Sequence, residues 1–161
     1  MHIKDIISYL RITYNPSDAF AWHRVLKYIG GVGQVTAGSI ISDFHNSRDP
    51  FSFEAFKQRK FHDELITLGK MLARASQPEY TLTQKVELII EYYAPILKER
   101  TDDYYIRMQD IAVLSDLSGK YRDLDKFLSD FALDPPSKRV ADQTKSLIDE
   151  GEEDGKVKSL Y

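Results

Sequence analysis

Two glycines separated by one residue, Gly31 and Gly33, lie between two helical patterns and form the stretch best suited to bind a ligand. Glycine tolerates positive φ angles and lets another molecule approach the backbone closely. The helix predicted to begin at Gln34 adds unpaired N–H groups and the positive end of its dipole. Together these features would bind a phosphate group. A simple tight turn between antiparallel helices explains the glycines equally well, so the turn alone leaves both interpretations open.

The candidate phosphate contacts are the backbone amides of this turn, with two side chains beside them. Thr36 would add a hydroxyl donor, and Lys27 a nearby steering charge. Contacts of this kind bind the phosphates of a nucleic-acid backbone and do not recognise particular bases. The predicted contact residues are Gly31, Val32, Gly33, Gln34, Val35, Thr36 and Lys27.

Other candidate sites have simpler explanations. Lys57, Arg59 and Lys60 form the densest basic cluster and could touch phosphate, although a solvated helix face is the more common role of such a cluster. Aromatic side chains can stack on bases, but helical packing is the more common role. The aromatic candidates are Trp22 and the pairs at residues 92–93 and 104–105, of which Tyr93 and Tyr105 have the spacing of core residues.

The sequence provides no constellation for catalysis. It has no cysteine, and its four histidines, at positions 2, 23, 45 and 62, are widely separated, which favours structural or surface roles. It also lacks the Gly-x-x-x-x-Gly-Lys-Ser/Thr loop that holds the phosphates of ATP. We therefore assign no catalytic residue, metal ligand or cofactor, and expect the chain to show no DNA-stimulated ATPase activity.

Charge and hydropathy restrict the function further. The formal net charge is -3, with 25 acidic and 22 basic residues, so any contact with nucleic acid must be local. No apolar run approaches the roughly 20 residues that span a bilayer, so we expect a cytoplasmic protein that has no membrane partner. The absence of cysteine is compatible with that compartment.

Hydrophobic spacing predicts helices along nearly the whole chain and almost no strands. The first should span residues 3–14, and later ones 34–44, 61–77, 83–98, 104–117 and 124–131, with Pro95 bending the end of its helix. Between them, Ser17 should cap a helix that ends at Gly30 and buries Phe20, Ala21, Val25, Leu26 and Ile29. The helix from residue 104 should bury Tyr105, Met108, Ile111, Ala112 and Leu114.

The predicted fold is therefore all-α, a single compact multi-helix domain over residues 1–134. Residues 135–161 begin with two prolines and include an acidic run at 149–154. This composition predicts an extended tail.

The glycine turn resembles the hairpin of helix-hairpin-helix DNA-binding modules, and a larger pattern resembles a known family. Four blocks match, in order and spacing, the second accessory domain, called 2B, of UvrD/Rep-like superfamily 1 DNA helicases. They are the opening segments at residues 3–11, 15–18 and 24–26, the Gly-Val-Gly turn at 31–33, residues 104–111, and residues 127–136. Residues 156–161 resemble the strand that precedes a motor motif in that family.

This resemblance implies an accessory domain that binds duplex DNA near a single-strand junction and swivels against the motor domains. Those domains, with ATP and magnesium, would belong to other parts of a parent helicase that acts in DNA unwinding, repair or replication. The resemblance also allows a second role, a regulatory or partner-docking module with little DNA binding of its own. A stand-alone enzyme has no support in the residues.

Overall fold

Helices form almost all of the regular structure in residues 2–132, the part of the chain that the computed structural model describes. They are α1 (His2–Tyr14), α2 (Ala19–Leu26), α3 (Gln34–Asn46), α4 (His62–Ala75), α5 (Leu82–Arg100), α6 (Tyr104–Ser118) and α7 (Leu124–Ala132). Two short 3-10 turns, Pro50–Ser52 and Glu54–Phe56, lie between α3 and α4. These residues contain no strand, and the all-α prediction is confirmed. The predicted boundary at residue 134 and the tail that follows it lie outside the described residues.

Helix α1 is the centre of the fold. It contacts α2, α4, α5, α6 and α7, and it is buried on most sides. A helix surrounded in this way must be apolar around most of its circumference, and α1 is rich in isoleucine for that reason. Burying each such side chain contributes roughly 1.5–3 kcal/mol. In the described range, no helix is both long enough and apolar enough to cross a membrane.

Helix α2 begins one residue later than the sequence predicted and buries a different aromatic side chain. The side chain of Asp18, rather than that of Ser17, caps it by accepting a hydrogen bond from the N–H of Ala21. Phe20 is 90% exposed, so its predicted burial is wrong. Trp22 is fully buried instead, and its indole N–H donates to the carbonyl of Pro16 at 2.8 Å. Trp22 is therefore a core residue and is not available to stack on bases.

The buried face of α6 also differs from the prediction at two positions. Tyr105 is 77% exposed and Ala112 is exposed as well, so both are wrongly placed by the prediction. Ile111 and Leu114 are buried as predicted, and Met108 is half-buried against the core. In the aromatic pair at residues 104–105, the Tyr104 ring therefore packs against the core and the Tyr105 ring is exposed to solvent.

Helix α5 runs through Pro95 to Arg100. Its first turn is closed by a capping box, in which Thr81 and Gln84 each accept a hydrogen bond from the other's backbone N–H. Such reciprocal caps satisfy two backbone donors that a helix start leaves open. The helix is about 28 Å long at 1.5 Å per residue, so its two ends lie at opposite sides of the domain.

Candidate nucleic-acid interface

Helices α2 and α3 pack against each other and are joined by a tight turn over residues 27–33. Ile29, at 3% exposure, anchors the turn in the core. Its N–H donates to the carbonyl of Leu26 at 3.0 Å, and the N–H of Val32 donates to the carbonyl of Ile29 at 3.2 Å. Local hydrogen bonds and one buried side chain therefore hold the turn in a defined shape.

Gly31 has the backbone conformation that the sequence predicted. Its φ is 87°, in a region that side chains of L-residues rarely adopt. A Cβ placed on Gly31 would lie 3.5 Å from Cδ2 of Phe61, an ordinary contact distance. The turn thus requires glycine here for its conformation and not for space.

Gly33 has a different role from the one predicted. Its φ of -92° and ψ of -171° are extended geometry that any residue adopts, so the predicted positive φ is wrong. Gly33 is the N-cap of α3 and provides no side-chain cap. A Cβ here would meet nothing within 4 Å. The position is open, and its lack of a side chain leaves the start of the helix accessible.

The first helical hydrogen bond of α3 runs from the N–H of Ala37 to the carbonyl of Gly33 at 2.9 Å. The amides of Gln34, Val35 and Thr36 precede it in the helix's first turn. Backbone N–H groups at this position and the positive end of the helix dipole both favour an anion. Of the predicted amides, those of Gln34, Val35 and Thr36 therefore lie in the open first turn, whereas the N–H of Val32 is bonded to the carbonyl of Ile29.

Lys27 lies beside this helix start. A groove of about 290 Å³ brings Lys27 together with Val32, Gly33 and Gln34, and its remaining lining residues are His23, Arg24 and Ala37. Val35 is 87% exposed at the tip of the hairpin and Thr36 is half-buried, and neither lines the groove. The structure thus joins one cation to part of the predicted amide set.

The hairpin is locally basic in a net-acidic protein. No acidic residue occurs in the sequence between Asp18 and Asp43, a stretch that includes both helices' facing ends. Within it, Arg24 pairs with the buried carboxylate of Asp5 at 2.8 Å, so Lys27 is the cation most available to a ligand. A phosphate at this surface would meet little local repulsion.

Asp5 is the polar residue that the sequence analysis missed. It is fully buried in α1 and accepts hydrogen bonds from Nε of Arg24 and from the hydroxyls of Tyr28 and Tyr93. Burial and then the bond to Asp5 raise the pKa of Tyr28 to about 12, and the same two causes raise that of Tyr93. A lone carboxylate among the isoleucines of a core helix is the signal that could have identified it.

The Asp5 network connects the hairpin to the rest of the core. Arg24 lies on α2 and Tyr28 in the turn, whereas Tyr93 lies on α5. The Tyr28 ring also contacts two cations, with Nζ of Lys27 5.4 Å and the Arg100 guanidinium carbon 5.0 Å from its centre. These contacts join α2 and the turn that leads to α3 to helices α1 and α5.

Among the histidines of the described chain, His2 and His45 have hydrogen-bond partners, whereas Nε2 of His62 is buried without one. Nε2 of His2 lies 3.0 Å from a carboxylate oxygen of Asp110, and Nε2 of His45 lies 3.2 Å from the carbonyl of Pro16. Tyr93 is buried, as its spacing predicted. Within residues 2–132, no group of three His, Cys, Asp or Glu side chains is arranged to hold a metal ion.

No protein-family model, curated protein or solved structure matches the chain. Its function must therefore be inferred from the chemistry of the hairpin and from the motifs in the sequence.

Proposed function

We propose that this chain binds the phosphate backbone of duplex DNA through the α2–α3 hairpin. The observation that carries the proposal is the uncapped start of α3, where Gly33 leaves the first-turn amides open beside Lys27. Neutral amides and a helix dipole bind phosphate without requiring a basic protein. This mode of binding reconciles DNA contact with a net charge of -3.

The sequence blocks favour one biological setting for this contact. We infer that the chain acts as a 2B-like accessory domain of a UvrD/Rep-like helicase and holds the duplex ahead of the unwinding junction. In that setting the hydrolysis of ATP with magnesium belongs to the motor domains. The hairpin then binds and positions the duplex and takes no part in catalysis.

A titration of the chain with labelled duplexes of two unrelated sequences tests the proposal. Because the contact is to phosphate, the two affinities should agree within about 2-fold. Because neutral amides contribute to it, the logarithm of the affinity should fall only shallowly with the logarithm of the salt concentration, with a slope on the order of -1 to -3. No measurable binding at low salt, or strong preference for one sequence, would contradict it.

A second function, protein docking, is favoured by a different surface. Tyr105 and Ile106, adjacent at the start of α6, are 77% and 62% exposed. Contiguous exposed apolar side chains are a feature of protein-contact surfaces. Replacing both with serine separates the two functions, since duplex affinity should be unchanged if DNA binding depends on the hairpin alone.

A further inference from the structure

The hairpin has a neighbour from a distant part of the sequence. Phe61, which precedes α4, is 4% exposed, and its ring lies against Gly31. The segment between the second 3-10 turn and α4 therefore packs beside the tip of the turn. Sequence spacing alone does not reveal this, because thirty residues separate the two.

This neighbouring segment is also locally basic. It includes Lys57, Arg59 and Lys60, all exposed, and no acidic residue occurs between Glu54 and Asp63. It lies next to a hairpin that itself has no acidic residue. The position of Phe61 thus brings two stretches that lack acidic residues next to each other.

Arg59 is the cation in this segment that contacts the aromatic ring beside the turn. Its guanidinium carbon lies 4.8 Å from the centre of the Phe61 ring, the same ring that contacts Gly31. Arg59 and Gly31 therefore lie next to the same aromatic ring.

Arg59 is also more available than its neighbour Lys57. Lys57 lies 3.7 Å from a carboxylate oxygen of Glu54, whereas Arg59 makes no ion pair within the described part of the chain. Stacking on Phe61 restricts the guanidinium plane, which reduces the entropy lost when a ligand binds. A guanidinium also donates two parallel hydrogen bonds to a phosphate, which an ammonium group does not.

We propose that Arg59 is a second phosphate-binding point, so that the hairpin and the segment before α4 grip one duplex backbone together. This inference rests on the proposed function, because it assigns an additional contact to the same ligand. It explains how a net-acidic domain obtains a charged anchor without a long basic stretch.

The test compares Arg59→Gln with Arg122→Gln in titrations of the chain with a short blunt-ended DNA duplex. Arg122 is exposed and follows Ser118, whose hydroxyl lies 3.2 Å from that of Thr83 at the start of α5. The turn lies near the other end of α5, where Arg100 donates to the Tyr28 carbonyl at 3.4 Å. The two substitutions change net charge equally, so the control removes the general effect of charge.

One phosphate contact contributes about 0.9 to the slope of log affinity against log salt concentration. With the contribution of the contact taken as zero at about 1 M salt, its removal should lower the affinity about 15-fold at about 50 mM salt and about 4-fold at about 200 mM. We expect this loss for Arg59→Gln, with the slope shallower by about 1, and a change under about 2-fold for Arg122→Gln. Circular dichroism should confirm that both variants fold.

Equal effects of the two substitutions would overturn the role of Arg59. If Gly33→Val still weakened binding in that case, the proposed function would survive without this second contact. A wild-type chain that does not bind the duplex at low salt would instead contradict the proposed function, and the inference that rests on it would fail as well.

Discussion

Replacing Gly31 with alanine should destabilise the domain, because its φ of 87° is unfavourable for any residue with a Cβ. Left-handed backbone costs an L-residue roughly 1–2 kcal/mol. The new methyl group would lie 3.5 Å from Phe61, which adds no serious clash. Alanine also reduces the entropy of the unfolded chain, which offsets part of this strain, so we expect Gly31→Ala to lower the free energy of unfolding by about 1 kcal/mol.

Gly33→Ala is the matched control for this substitution. The backbone at Gly33 is extended and nothing lies within 4 Å of a Cβ there, so alanine should fit without strain. Alanine is a slightly poorer N-cap than glycine, and it also reduces the entropy of the unfolded chain. These opposing effects should leave its stability within about 0.5 kcal/mol of wild type.

Chemical denaturation followed by circular dichroism measures both free energies. In thermal unfolding, the loss for Gly31→Ala should appear as about 2–4 °C per kcal/mol in a chain of this size. Equal stability of the two variants would refute the argument from φ. It would mean that the turn relaxes to a conformation that tolerates a side chain at residue 31.

Two further predictions concern the buried network. Asp5→Ala should destabilise the domain by about 3–5 kcal/mol in denaturant titrations, because it leaves three donors without their carboxylate. Lys4→Ala, on the exposed side of α1, is the control and should be nearly neutral. Equal losses of stability in the two variants would contradict the role of Asp5. Since burial raises the pKa of Tyr28 to about 12, the folded state holds this proton more tightly than the unfolded chain does, and stability present below about pH 10 should be lost as pH rises through about 12. Tyr28→Phe should remove this share of the pH dependence, so that the free energy of unfolding in denaturant titrations falls less steeply between about pH 10 and 12. An unchanged slope would count against the shift.

Sequence periodicity predicted the helices because most of them are long enough to show a repeated apolar face. Helix α5 illustrates this, with Val86, Ile89, Tyr93 and Leu97 at helical spacing and all buried. Its start was also readable in principle, since Thr81 and Gln84 are spaced as a capping box. Local rules of this kind depend only on residues within a few turns.

The same rules failed where a helix was too short or its face too broad. Helix α2 has eight residues, and the pair Ala21 and Val25 is compatible with a face that extends toward either Phe20 or Trp22. Only packing against the rest of the core decides between them. The exposure of Tyr105 has a similar origin, since the buried face of α6 passes through Ile111, Leu114 and Leu117.

The turn of the candidate site was predictable from the sequence, but the tertiary contacts that stabilise the turn were not. The spacing of Gly31 and Gly33 and the helix start at Gln34 were evident from the sequence. Asp5, by contrast, is stabilised by Arg24 and Tyr93, which lie 19 and 88 residues away. Contacts across such separations depend on the tertiary fold, and the same holds for Phe61 beside the turn.

The most direct test of the central claim is a duplex-binding titration of Gly33→Val against Gly38→Val. Both substitutions add the same side chain to an open position, since a Cβ at either glycine meets nothing within 4 Å. Only residue 33 lies at the uncapped start of α3, and Gly38 is within the helix. The pair therefore separates obstruction of the first-turn amides from any general effect of a larger side chain.

If the amides of Gln34 to Thr36 bind phosphate, Gly33→Val should weaken duplex binding by about 10-fold or more, in line with the loss of a hydrogen bond to a charged group. The loss should be the same for unrelated DNA sequences, and Gly38→Val should bind like wild type. Unchanged affinity in a folded Gly33→Val variant would contradict the account and reduce the turn to a connector between two helices.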